Sequence, residues 1–270
     1  MFHDKILRIL ELMGFLQFDN LKHARISHGI SIRSTYVNRP SNHLSIMEFK
    51  AGDTHQNLAR NQVAIGSYFR VEPDKFYLLR QVHSSDVLTV SDQSPEEIAS
   101  TPADALVTQQ PGCLLGVLVA DCYPVLASDR SGHIVAAIHA GRLGIQNGIL
   151  QNTISAMCRQ ARINASDILV GVGPGICRDH YPVDRKTADL FIRETDKYYQ
   201  HHYDEEAREI KLDLRSTLHA VLVHQGIPSS QIEHLHYCTY QNPDMFFSHR
   251  YSEGQTGRFG AFIRRADPDF

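Results

Sequence analysis

Apolar runs in this chain are short. The longest, at residues 114–120, is strand-length, and none approaches the roughly 18 residues needed to span a bilayer. Similar runs recur at 77–79, 87–90, 134–138 and 168–172, each set off by turn signals, the pattern of buried strands. Between and after them the apolar spacing becomes helical. Leu150, Ile154, Met157 and Cys158 stand at i, i+4, i+7 and i+8, and so do Leu214, Leu218, Val221 and Leu222. Asp213 is the expected N-cap of the second helix and Gly226 its C′ residue, with Pro228 beyond. The polar stretch 92–101 predicts a loop or short helix. Strands and helices in mixed order predict an α/β (α+β) fold of layered mixed β-sheet with flanking helices. No repeat, low-complexity segment or linker divides the chain, so residues 1–270 are expected to form a single domain.

Composition narrows the partners. Apolar residues make up 42% of the 270 residues and charged residues 21%, which excludes a disordered chain, a collagen and a coiled coil. The formal net charge of −3 favours neither nucleic acid nor a membrane surface. At the N-terminus, Asp4, Arg8 and Glu11 interrupt the apolar residues, and no small-residue cleavage site follows. An amphipathic helix with Ile6, Ile9, Leu10 and Met13 on one face fits better than a signal peptide, and a cytoplasmic location is expected. Five irregularly spaced cysteines without a CxxC argue against both a disulfide framework and a zinc ribbon. Sixteen histidines direct attention to metal or acid–base chemistry.

Three segments carry candidate chemistry: Gln81-Val82-His83, Ala120-Asp121-Cys122-Tyr123-Pro124 and His139-Ala140-Gly141. Cys122 and His139 close runs of buried-strand character, and strand ends present side chains to clefts. Two imidazoles and one thiolate form a three-ligand zinc set of the catalytic type, with a position left for water. Zinc in such a set lowers the pKa of water to about 7. The same residues also read as a metal-free nucleophile–base dyad, Cys122 attacking and His139 taking its proton. Each residue alone reads more readily as a hydrogen-bonded core histidine or an inert thiol than as a ligand. The case depends on the three together.

At these residues the chain resembles the YfiH/YlmD family of laccase-domain proteins, labelled both polyphenol oxidases and purine nucleoside phosphorylases. The match extends from about His28-Gly29 to about Phe262. Further anchors are Ala103-Asp104-Ala105, Gly173-Pro174-Gly175-Ile176 with Tyr181-Pro182-Val183, Cys238-Thr239, Phe246-Phe247-Ser248 and Thr256-Gly257-Arg258. Each is weak alone, and their order is specific. The resemblance implies a single-domain fold of sheet and helix layers. It implies zinc, with copper as the alternative metal, on His83, Cys122 and His139, the same three that chemistry selects. It also implies phosphorolysis of adenosine, inosine, guanosine and methylthioadenosine, together with adenosine deamination. The chain departs from the family pattern at His139-Ala140-Gly141-Arg142-Leu143-Gly144, where the family reads His-Ala-Gly-Trp-Arg-Gly. It departs again at His249-Arg250-Tyr251, where one basic residue of a pair is lost.

The substrates implied are a purine nucleoside and phosphate. Candidate phosphate ligands are Arg33, Arg142, Arg250 and Arg258, because guanidinium matches phosphate geometry. The segment 141–144 is expected to open the helix that carries Leu150, placing a helix N-terminus nearby. Asp121 is read either as an acceptor orienting a ligating imidazole or as the cap of a turn before Pro124. Phe246 and Phe247 are read as a purine-stacking pair or as core. Cys113, Cys158, Cys177 and Cys238 are expected to be structural. Two other functions remain open: a copper-dependent polyphenol oxidase, and a metal-free Cys–His hydrolase or deamidase. A multicopper cluster needs repeated His-x-His pairs, and this chain offers His234-Leu235-His236 plus adjacent His201 and His202. Oligomeric state is not legible.

Overall fold

The computed structural model describes residues 15–22, 25–33, 55–198, 203–204 and 209–266. The helix expected over Ile6–Met13 and the pair His201 and His202 lie outside the described residues. Two sheets dominate. The first runs β1 (Phe15–Leu16), β2 (Ile26–Ser31), β14 (Phe259–Arg265), β6 (Leu114–Val119), β3 (Phe76–Leu78). The second runs β13 (Ile232–His234), β9 (Ile168–Val172), β7 (Tyr123–Asp129), β8 (Val135–Ala140), β5 (Ala105–Thr108), β4 (Val87–Thr89). A small third sheet is ordered β10 (Pro182–Val183), β12 (Glu209–Lys211), β11 (Tyr203–Asp204). Parallel and antiparallel pairs mix in both large sheets: β3 runs parallel to β6, and β14 antiparallel to it.

The alternation of side chains along each strand sets the layering. On β6, Leu115, Val117 and Val119 face the second sheet, where Leu126, Val135 and Ala137 meet them. Leu114 and Leu118 face outward, under Ile65 and Phe69 of helix α1 (His55–Phe69). On the far side of the second sheet, Val125, Ala127, Ala136 and Ile138 pack against α4 (Ile149–Ala161) and α6 (Leu214–His224). The order is therefore helix, sheet, sheet, helices. Both sheets are covered on both faces, which is why their central strands read as continuous apolar runs rather than as alternating ones.

The stretch 92–101 contains α2 (Pro95–Ser100), held by a capping box of Ser94 and Glu97. Asp213 caps α6 by accepting from the Ser216 amide, and Gly226 follows it at φ +93°, as expected of a C′ glycine. The helix expected to open at 141–144 and carry Leu150 is instead two helices. The six-residue α3 (Arg142–Asn147) ends at Gly148, whose φ of +95° breaks the helical path before α4. The remaining helix, α5 (Arg185–Thr195), is capped by Asp184. Among the described residues no helix is long and apolar enough to cross a membrane.

Candidate active site

The β6–β7 connection leaves one sheet and enters the other within three residues, Ala120-Asp121-Cys122. Its middle residue, Asp121, takes a φ of +90°, a conformation that a non-glycine residue holds only when its surroundings over-determine it. The Asp121 carboxylate accepts from Thr239 Oγ1 at 2.6 Å and from the Arg250 amide at 2.7 Å, while its own carbonyl accepts from the Ile176 amide at 2.8 Å. Asp121 therefore neither orients an imidazole nor caps a turn before Pro124. It ties three loops together at the end of the sheets and turns Cys122 toward a cavity of about 480 Å³.

The residue that orients an imidazole is Asp104, immediately before β5. Its carboxylate is fully buried and accepts from His139 Nδ1 at 2.7 Å. It also collects the amides of Val82 at 3.2 Å, His83 at 3.0 Å and Ser84 at 2.5 Å, and the Ser84 hydroxyl at 2.9 Å. One carboxylate thus shapes the 82–84 loop, where His83 has a φ of +60°, and fixes the His139 ring. His139 lies within β8, one residue before the strand ends, rather than in the loop beyond it. Its Nε2 is left facing the cavity.

The three candidate donors converge. The ligand atoms of His83, Cys122 and His139 all lie within 4.8 Å of one another. Cys122 Sγ is 3.8 Å from His83 Nε2, and the two imidazoles meet edge-on with centroids 4.7 Å apart. Gly141 makes room for them, since a Cβ there would sit 2.9 Å from Cys122 Sγ and 3.0 Å from His83 Cδ2. The electrostatics are polarised. Burial pushes the Cys122 thiol up, but the His139 and His83 imidazoles outweigh it and bring it down to about 6. Burial lowers His139, but the Cys122 sulfur and the Asp104 carboxylate outweigh it and raise it to about 9. Burial raises Asp104, but its bonds to His139 and Ser84 outweigh it and bring it to about 2. Two nitrogens and a thiolate at these separations suit a borderline-soft metal ion, with Asp104 as outer support.

Of the four candidate arginines, Arg142, Arg250 and Arg258 line the cavity and Arg33 does not. Arg33 donates to the Pro243 carbonyl at 2.7 Å and stacks over Phe247, away from the site. Arg250 donates to the Pro182 carbonyl and lies over the Tyr181 ring. Phe246 and Phe247 are buried in the core between the sheets, so neither offers a face to a purine. Tyr181 and His249 line the cavity and were not singled out as site residues by sequence. Tyr181-Pro182 carried a signal as a motif, but nothing local showed that its ring forms a wall. Gln81 bridges β3 and β6, donating to the Leu118 carbonyl at 2.7 Å and accepting from the Leu118 amide at 2.8 Å.

Known proteins resemble this chain over most of its length. The family described as multi-copper polyphenol oxidoreductase laccase matches residues 27–266. A purine nucleoside phosphorylase of Corynebacterium glutamicum is 35% identical over 218 residues, covering 77% of this chain and 81% of that protein. An adenosine deaminase from an unknown prokaryotic organism is 29% identical, with 77% and 81% covered. The crystal structure of YlmD from Geobacillus stearothermophilus superposes with a TM-score of 0.83 at 26% identity, covering 94% of this chain and 97% of that one. A match over nearly all of the described sheets and every segment of the site establishes that this chain belongs to the multi-copper polyphenol oxidoreductase laccase family.

Proposed function

We propose that the cavity is the active site of a zinc-dependent purine nucleoside phosphorylase that also deaminates adenosine. His83, Cys122 and His139 would hold the metal, and Arg142, Arg250 and Arg258 would receive the phosphate. The observation that carries this reading is the meeting of the three donors, from three distant segments, at the edge of a ligand-sized cavity, with one buried carboxylate behind His139. Separate relatives, one named a purine nucleoside phosphorylase and another an adenosine deaminase, support it.

The chain's own groups divide the work. Leu79, Leu118, Val119, Ile176 and Leu214 offer apolar wall for a purine and ribose. The three arginines gather positive charge on the same cavity, where phosphate must approach C1′ of the ribose as the purine leaves. Asp104 accepts the proton of His139 Nδ1, so Nε2 is the nitrogen that would bind a metal, giving up its own proton as it does so. A zinc ion on this donor set would supply Lewis acidity to a water or hydroxyl in the cavity.

Two alternatives meet the same site. For a copper polyphenol oxidase, His234 and His236 stack on each other at 5.7 Å but do not line the cavity. The metal-free hydrolase draws support from the low-lying Cys122 thiol beside an imidazole. Metal analysis of the purified protein, combined with an assay of adenosine plus phosphate that follows adenine and inosine, separates the three. Zinc that Cys122→Ser diminishes by one equivalent, with chelator-sensitive product formation, is the expected result. Activity that survives metal removal and dies with a thiol alkylator would replace the proposal with the dyad. Copper with phenol-dependent oxygen uptake would replace it with the oxidase.

A further inference from the structure

A second group of metal-binding side chains lies outside the cavity lining. Cys177, His180 and Cys238 bring their ligand atoms within 4.8 Å of one another. His180 Nδ1 is 3.2 Å from Cys177 Sγ and 4.0 Å from Cys238 Sγ. Tetrahedral zinc, with Zn–S about 2.3 Å and Zn–N about 2.0 Å, separates its sulfur and nitrogen ligands by about 3.6 Å. The two observed distances bracket that value.

The backbone builds the group from a compact turn and a distant loop. Cys177 precedes a 3-10 turn at Arg178–His180, so a Cys-x-x-His spacing folds its two side chains onto one side. The Cys177 amide donates to Cys238 Sγ at 3.3 Å, and the His180 amide donates to the Cys177 carbonyl at 3.2 Å, closing the turn. Amides directed at sulfur favour the thiolate that a metal requires. Cys238 is brought in by a bridge to Gly175 and by the Thr239 amide, which donates to the Gly175 carbonyl at 3.2 Å. Tyr240 stacks on the His180 ring at 4.4 Å and fixes its orientation. Cys177 and His180 are half-buried, which leaves a path for an ion, while Cys238 is buried. Arg178, the adjacent cation, turns its guanidinium to Asp179 rather than to the sulfurs. All five cysteines of the chain are free thiols.

We propose that Cys177, His180 and Cys238 hold a second zinc ion, which clips the 177–180 turn to the 238–240 loop. Both segments support the cavity. The turn leads into Tyr181, a cavity wall, and the loop carries Thr239, which holds Asp121. With three protein donors a water would complete the tetrahedron, and the ion would act as a clip rather than on the substrate, because neither sulfur nor His180 lines the cavity. Soft donors select zinc over magnesium or calcium.

The test is zinc stoichiometry on the full chain, purified under reducing conditions, loaded with zinc and freed of excess. The wild-type protein is expected to retain two equivalents and the Cys177→Ser/Cys238→Ser variant one. Cys122→Ser, which removes the cavity sulfur, is also expected to retain one. Wild-type protein with a single equivalent, undiminished in the double variant, would overturn the second site while leaving the cavity site standing. Should the double variant fail to fold, cobalt loading of Cys122→Ser decides the matter. A sulfur-to-cobalt charge-transfer band that His180→Ala diminishes supports the site, and absence of the band overturns it. A Cys177–Cys238 disulfide in zinc-replete protein overturns it as well.

Discussion

The molecule carries two cysteine–histidine groups of similar composition in opposite electrostatic settings. At the cavity, one thiol faces two imidazoles, one of them backed by the buried carboxylate of Asp104, and the thiol falls to about 6. In the 177–238 group, burial and the neighbouring Cys238 thiol push Cys177 up to about 11. The difference teaches that donor inventory does not set reactivity. Cation-forming partners prepare a thiolate before any ligand arrives, whereas paired thiols give up their protons only to an ion that binds both. The first setting suits chemistry on a substrate, and the second suits a clip.

The largest expected effect tests the cavity side of this contrast. Cys122→Ala should lower phosphorolysis by about 10³-fold or more and release the cavity metal, read by product formation and metal content together. Full activity in metal-free Cys122→Ala protein would remove the cavity group from the mechanism. The second test contrasts the two groups directly. In metal-stripped protein at pH 7, an aromatic disulfide reagent should modify Cys122 about 10²-fold faster than Cys177, since the much larger thiolate fraction is partly offset by lower nucleophilicity. Lowering the pH from 8 to 6 should slow Cys122 only about twofold, because its thiol protonates near 6. It should slow Cys177 about tenfold per unit throughout, because the whole range lies below its pKa of about 11. Equal rates, resolved by peptide mass spectrometry, would erase the contrast.

Asp104→Asn comes next. Replacing the charged acceptor of the His139 proton by a neutral amide should cost about 10- to 100-fold in metal affinity at the cavity, measured by chelator competition. It should leave the 177–238 group unchanged, and an unaltered cavity affinity would show that the carboxylate only shapes the loop. The smallest effect is expected from Gly141→Ala. Its Cβ would press on Cys122 Sγ and His83 Cδ2, displacing ligands by tenths of an ångström and reducing activity by about tenfold. An unchanged rate would mean that the donors have more freedom than their packing indicates.

Much of the fold was legible because its signals are local. The period of apolar residues marked β6, β8, β9, α4 and α6, and Asp213 and Gly226 marked the ends of α6. The Gly148 break was missed because one glycine inside a helical pattern is usually tolerated, and its φ of +95° is set by how α3 and α4 pack. The division of β6 and β7 between sheets was equally hidden, since strands buried on both faces carry no alternation to show which sheet they join. Within the site, His83, Cys122, His139, Arg142, Arg250 and Arg258 were named from residue chemistry and motif order. Arg33 was misplaced because nothing local shows that its guanidinium turns to Pro243. Cys177 and Cys238 read as structural cysteines with no sign that they meet, because the two are far apart in the chain.

By itself the sequence determined many of the segments that become strands and helices, the ends of a well-capped helix such as α6, and which donor types are available. These follow from interactions among residues within a few positions of one another, where backbone geometry dictates who is near whom. Only the tertiary structure decided which donors meet, that Asp104 rather than Asp121 supports an imidazole, and that two separate groups form. Those outcomes depend on how two sheets stack and how loops cross between them, and spacing along a chain does not encode proximity between segments joined only through a packed core.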